Sequence, residues 1–460
     1  MNITRATLAL KAKFTNHFWN SAIDHASLNS RLLQLSVAIY LVVFIPILVI
    51  SLGRHFYLQQ AWLEVWSFYP SDPPSFMTVV SEKHAFGIHF FGDFLLPISW
   101  SQYPNPFLVD IPVNYPPIAI EFIGVFLNFG YRPGLFIYLL LMALASFVTV
   151  AFSVRKRSIL AMGSALATIG IASGPLLAAI DRGNIAGFSV GLLFLSGYFI
   201  LMNQWRKAAI FIAIATAIKL YVVVLFIVFV FKRRWSELFL GAVITGALVL
   251  LPLSLYPGSF RSTIEGLLQG VSNFSIQSQD WILYCWNSSL VGGLYQSSIS
   301  LNLNSLALSI YSNAQLVSLI LSIPILYLAF KTRQFIWLSL ILSFMLMSTL
   351  VPISYYYTLT WALAGLCLVF ARANQIDTAI FSDLNKPPHN HGAIENRERK
   401  LLVATTIYLS ILLIPMPLSL PKTSQFVCVQ SVAPSVFFLA TVFWLIYIIW
   451  SLRRMQVRVT

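Results

Sequence analysis

Apolar residues in this chain run in long blocks instead of alternating with polar ones. Stretches of about 17 to 22 residues, enough to cross a hydrocarbon core of roughly 30 Å at about 1.5 Å per residue, fall at 32–52, 134–153, 158–179, 185–202, 236–256, 312–330, 334–351, 354–371, 401–417 and 434–452. Each predicts a membrane-spanning helix. Residues 207–231 are different, because their apolar run is broken once, at Lys219-Leu220-Tyr221, between Arg206-Lys207 and Lys232-Arg233-Arg234. One span would put the two basic clusters on opposite sides of the membrane. Two short segments meeting at Lys219 keep both clusters on one side and leave the lysine within the membrane thickness, beside a polar cavity. The pattern therefore predicts an all-α polytopic membrane protein, a bundle of about 10–12 transmembrane helices.

Composition agrees with that reading. Of the 460 residues 58% are hydrophobic and 10% charged, with a mean hydropathy of +0.79, which excludes a water-facing globule, a disordered chain and a collagen-like repeat. The cysteines, Cys285, Cys367 and Cys428, are too scattered for a disulfide scaffold. A net charge of +14 would suggest nucleic acid in a soluble protein. Here 22 of the 29 lysines and arginines fall in 1–31, 154–157, 203–207, 232–235, 331–333, 372–400 and 453–460, as expected if basic loops set the topology. The expected layout is a cytoplasmic N-terminus at 1–31 and a transmembrane module at 32–371. This module has long extracytoplasmic loops at 53–133 and 257–311. A cytoplasmic linker at 372–400 and a C-terminal helix pair at 401–460 follow. Both termini are expected in the cytoplasm, the first span as a retained anchor with no signal peptide, and the host membrane as a bacterial inner or plasma membrane. No nucleic-acid partner is needed.

The carboxylates run the other way, with Glu64, Asp72, Glu82, Asp93, Asp110, Glu121, Asp181, Glu265 and Asp280, nine of the fifteen, on the expected outer side. In the first outer loop, Asp93 stands among Phe90, Phe91, Phe94, Leu95 and Leu96. It reads either as a helix N-cap or as a desolvated carboxylate with a raised pKa and a proton-accepting role. His89, four residues earlier, would share its face in a helix and make a metal or proton-relay pair, although no ligand-spaced metal cluster is evident. Residues 118–129 are apolar but short, which suits an interfacial or re-entrant helix. Asp181-Arg182-Gly183-Asn184, between two spans, is either a tight turn with a local ion pair or a guanidinium placed to take a phosphate. Lys219 needs a counter-ion or a cavity at its depth. Asn287-Ser288-Ser289-Leu290 and Pro352-Ile353-Ser354-Tyr355-Tyr356-Tyr357 add polar and aromatic groups at later outer ends, where tyrosines also serve as an anchoring belt.

In order, these pieces resemble the polyprenol-phosphate-sugar-dependent glycosyltransferases of the GT-C architecture, most closely glycosyltransferase family 87. The resemblance covers about 90–370. It rests on Gly92-Asp93-Phe94, Asn105-Pro106-Phe107, Asn114-Tyr115-Pro116-Pro117, Arg182-Gly183-Asn184, Lys219-Leu220-Tyr221, Asn287-Ser288-Ser289-Leu290 and Pro352-Ile353-Ser354. The Arg-Gly-Asn and Lys-Leu-Tyr elements are also similar to those of the mannosyltransferase of GPI-anchor assembly. The family often has histidine after Pro-Ile-Ser, where this chain has Tyr355 to Tyr357. The resemblance implies transfer of a sugar, mannose first, from a polyprenyl-phosphate donor to a lipid-linked or glycan acceptor on the extracytoplasmic face, among membrane lipids; no cofactor is expected. It implies Asp93 as general base, Arg182 and Lys219 as phosphate ligands, and Asn105, Tyr115 and Asn184 around the sugar and acceptor, with Asn287, Tyr355 and Tyr356 as further substrate contacts. A lipid or small-molecule transporter and a non-catalytic scaffold of the same fold are the competing classes. The near absence of charge within the spans argues against transport.

Overall fold

The structure, a computed structural model, describes residues 27–58, 91–109, 113–154, 159–171, 173–277, 287–351, 354, 356–383, 392–414 and 432–456. The regular structure among these residues is helical. The first helices are α1 (Leu28–Leu58), α2 (Gly92–Ser101), α3 (Pro117–Gly124), α4 (Tyr131–Ser153), α5 (Ile159–Ala165), α6 (Gly174–Arg182), α7 (Ala186–Leu201), α8 (Trp205–Ile218) and α9 (Ile227–Phe231). They are followed by α10 (Trp235–Leu255), α11 (Phe260–Gln277), α12 (Leu290–Ser300), α13 (Asn304–Ser312), α14 (Ala314–Lys331), α15 (Ile336–Thr349), α16 (Thr360–Asp383), α17 (Gly392–Leu413) and α18 (Val432–Gln456).

By length and apolarity, six described helices can cross a membrane: α1, α4, α10, α14, α16 with the turn before it, and α18. A seventh crossing results if α5 and α6, bent by 54° at the break between them, form one span. The protein is thus a multi-pass membrane protein. The spans expected at 185–202 and 334–351 are the shorter helices α7 and α15, whereas the one expected at 401–417 falls largely within the 22-residue α17. The reason for the short ones lies in how the bundle is layered. α15 is buried at every position from Trp337 to Thr349, and the window over α16 is 83% buried against 11% for α10. Helices enclosed by protein need not match the lipid thickness themselves. The outer helices carry the lipid-type surface, as at Phe136, Phe239, Ile323 and Phe443, each well over half exposed. At the centre, α16 packs on α1, α4, α7, α15 and α17. Its approach to α7 depends on Gly197, where a Cβ would collide with Leu368.

The expected hairpin at 207–231 is present. α8 ends at Lys219, whose backbone is extended (φ −140°, ψ 107°), and the chain returns through a 3-10 turn, Leu220–Phe226, into α9. The two open ends meet, with the Trp205 and Phe229 rings 6.3 Å apart and the Arg234 guanidinium 5.2 Å from the Trp205 ring. The two basic clusters therefore share one end of the bundle. The short apolar segment 118–129 is also helical, as α3 followed by a 3-10 turn at Val125–Phe129. The loop expected at 257–311 contains helices α11, α12 and α13.

Candidate functional site

Five residues from four separate segments converge at the Lys219 end of the hairpin. Asp93 lies in the first turn of α2, where a carboxylate suits the helix dipole. It caps nothing: the residue before the helix is Phe91, in the left-handed region (φ 54°), with no side-chain cap. The Asp93 carboxylate faces Arg182 and Asn184 instead. Arg182 grips it with two prongs, Nε donating to Oδ2 at 3.2 Å and Nη2 to Oδ1 at 2.9 Å. Asn184 donates from Nδ2 to Oδ2 at 2.7 Å and to the Tyr115 hydroxyl at 3.3 Å. Lys219 completes the group, with Nζ 4.1 Å from the centre of the Tyr115 ring. Arg182, read from sequence either as part of a local ion pair in its turn or as a phosphate ligand, thus forms an ion pair with a carboxylate 89 residues away.

The backbone that holds Arg182 and Asn184 depends on the glycine between them. Gly183 ends α6 in the left-handed region (φ 63°), and a Cβ there would lie 2.8 Å from that of Phe94. Only glycine combines that turn with so close an approach. Two further bonds fix the turn against the start of α2: Phe91 N donates to Asp181 O at 2.8 Å and the buried Tyr138 hydroxyl to Gly183 O at 3.1 Å. Asn184 is fully buried, and its Oδ1 accepts from Ala186 N at 2.9 Å. Every hydrogen-bonding group of that amide is thus used inside the protein, which makes Asn184 a positioning residue.

Burial on its own would raise the pKa of Asp93, as expected from its aromatic neighbours. The Arg182 charge and hydrogen bonds, the Asn184 bond and the more distant Lys219 charge outweigh it, and the carboxyl titrates below its ordinary value. The expectation of a raised pKa is therefore corrected, and Asp93 is ionised at neutral pH. Its side chain keeps 14% exposure, and that of Arg182 19%. Three hydrogen bonds reach the carboxylate from Arg182 and Asn184, so of about four lone-pair directions one is left for an incoming hydroxyl. Burial and the Asp93 charge hold the Tyr115 phenol protonated, well above its usual range. The Lys219 side chain makes no hydrogen bond among the described residues, which leaves its ammonium donors available to an anion.

The remaining expected site residues lie elsewhere. Asn105 caps the 3-10 turn Pro106–Leu108 through Phe107 N, and its Nδ2 donates to Pro257 O and Thr263 Oγ1, each at 2.9 Å. It ties the 3-10 turn after α2 to α11. Asn287 Oδ1 accepts from Ser289 N and from Ser354 N, joining the Asn-Ser-Ser-Leu and Pro-Ile-Ser segments. Tyr356 is buried, donates to Ile414 O at 2.7 Å and stacks on Phe437, so it binds the C-terminal helix pair to the core. Tyr355 and His89 lie outside the described residues. Residue reading alone passed over Tyr138 and Trp100. Both are aromatics in apolar runs with no pattern to mark them. Trp100 lies against Tyr115, ring centres 5.9 Å apart, and its buried indole N–H lacks an acceptor among the described residues.

The family model of glycosyltransferase family 87 matches residues 114–371, a segment that includes Tyr115, Arg182, Asn184 and Lys219. No curated protein matches the chain.

Proposed function

The chain belongs to glycosyltransferase family 87, and from that membership in a family of membrane glycosyltransferases we propose a specific reaction. A sugar, mannose first among the candidates, passes from a polyprenyl-phosphate donor to a lipid-linked or glycan acceptor on the extracytoplasmic face. The supporting observation is the convergence of Asp93, Arg182 and Lys219 from three separate segments. Asp93 takes the proton of an acceptor hydroxyl as that oxygen bonds to the anomeric carbon, on the face opposite the phosphate. The anomeric carbon–oxygen bond breaks and its electron pair leaves on the lipid phosphate, so the configuration inverts. A phosphate is already a good leaving group, and no second carboxylic acid is required.

Each neighbour has a task in this reading. Arg182 and Asn184 hold Asp93 ionised and aimed. Lys219, with Arg182 as a second positive charge, receives the developing phosphate charge in a partly desolvated site, where such a contact is strong. Tyr115 sets the Lys219 ammonium through its ring. A base with a lowered pKa is a weak one, which suits a reaction where bond breaking to phosphate runs ahead of proton transfer. The test is donor class: purified protein in nanodiscs is offered radiolabelled polyprenyl-phosphate mannose, other polyprenyl-phosphate sugars and nucleotide sugars, with membrane lipids as acceptor. Transfer from a phosphoprenol sugar with release of polyprenyl phosphate is expected. Transfer from a nucleotide sugar alone would overturn the donor assignment.

A further inference from the structure

A cavity of about 1380 Å³ lies away from Asp93. It lies at the opposite ends of α7 and α8, beside Leu201 and Trp205. α8 alone sets Trp205 and Lys219 apart by roughly 20 Å at about 1.5 Å per residue. Five cations line the cavity, Lys232, Lys331, Arg372, Arg397 and Arg453, with Glu398 as the one lining carboxylate. Arg372 takes that carboxylate, Nε to Oε1 at 2.8 Å and Nη2 to Oε2 at 3.2 Å, and Trp337 Nε1 donates to it as well. None of the other four cations has a carboxylate partner among the described residues. Lys232 is also crowded by like charge from Arg333 and Arg234.

A second feature points to a ligand. Trp205 lines the cavity with 7% of its surface exposed, and its buried indole Nε1 has no hydrogen-bond acceptor among the described residues. A buried donor without a partner is costly. The lining also has an apolar part: Pro324, Tyr327 and Leu328 lie on α14 towards Lys331, and Ile449 and Leu452 on α18 towards Arg453. The cavity thus combines cations with apolar side chains, as a membrane amphiphile with an anionic head requires. Basic pockets between transmembrane helices take such head groups.

We propose that this cavity is a binding site for an anionic phospholipid, separate from the Asp93 site, with its phosphodiester among Lys232, Lys331 and Arg453, the Trp205 N–H as a neutral donor, and an acyl chain along α14 and α18. The assignment does not rest on the transfer reaction. Delipidated full-length protein, examined by native mass spectrometry in detergent, is titrated with phosphatidylglycerol, with phosphatidylcholine of the same chains, and with inorganic phosphate. One phosphatidylglycerol should be retained in preference to phosphatidylcholine. Lys232→Gln/Arg453→Gln should bind it roughly tenfold more weakly or worse, since each basic residue near the surface contributes about fivefold. Trp205→Phe should weaken it severalfold with phosphatidylcholine binding unchanged. Lys331→Gln, at an exposed position, supplies the same comparison if the double variant does not fold. Equal retention of the two lipids, or no loss in the folded variants, would overturn the proposal. Binding of inorganic phosphate with no preference for the lipid would overturn the lipid assignment.

Discussion

Asp93 is held by three hydrogen bonds from Arg182 and Asn184, and the arrangement predicts different outcomes for different substitutions. In Arg182→Gln, the largest influence that lowers the Asp93 pKa is removed while burial, which raises it, remains. The acid limb of the pH–rate profile should therefore move up towards neutrality. In the wild type the carboxyl titrates below its ordinary value. An unshifted limb in Arg182→Gln would mean that Asp93 is not the titrating group. The same pair contributes to folding stability only with the carboxylate ionised, so its contribution is present above the unfolded value and lost as pH falls through the folded one. Gly183→Ala forces a side chain into the left-handed region and against Phe94. A loss on the order of 1–3 kcal/mol, read as a lower Tm with reduced transfer, is expected, and an unchanged Tm would contradict the turn as described. The residues of this cluster were readable as short motifs. Their mutual geometry was not, because Asp93 as a helix cap and Asp93 as an arginine partner share one local sequence, and only the burial of both partners decides between them.

At the scale of elements, the hairpin of α8, the 3-10 turn and α9 was legible because a lysine cannot lie in lipid and two basic clusters resist being split across a membrane. With Lys207→Cys and, separately, Arg234→Cys, a membrane-impermeant thiol reagent should label both from the same side. Labelling from opposite sides would restore a single span. The α7 and α15 helices were legible as apolar runs but not as helices too short to span, since hydropathy does not distinguish an apolar run that faces lipid from one that faces other helices. The same blindness applies to Asn105 and Asn287. Their polar character marked them as candidates, yet their amides are occupied in holding α11 and the Ser354 segment in place.

The whole molecule is a buried set of helices around α16 inside a ring of lipid-facing ones, and the C-terminal pair α17 and α18 belongs to that assembly. Tyr356 joins the pair through Ile414 and Phe437, so Tyr356→Phe should cost about 1 kcal/mol of stability and leave the apparent affinity for donor unchanged. A raised KM with unchanged Tm would instead place Tyr356 in the substrate site. The two ends of the bundle also divide the polar chemistry, with the Asp93 cluster at one and the cation-lined cavity at the other. We propose that Asp93 removes the acceptor proton in transfer from a phosphoprenol sugar, and Asp93→Asn tests that claim. In nanodiscs, with the donor that the wild type uses, the variant should retain donor binding and lose transfer by about 10² to 10⁴-fold, the range of a general base. Transfer within a few-fold of wild type, by a folded variant that binds donor normally, would contradict the claim.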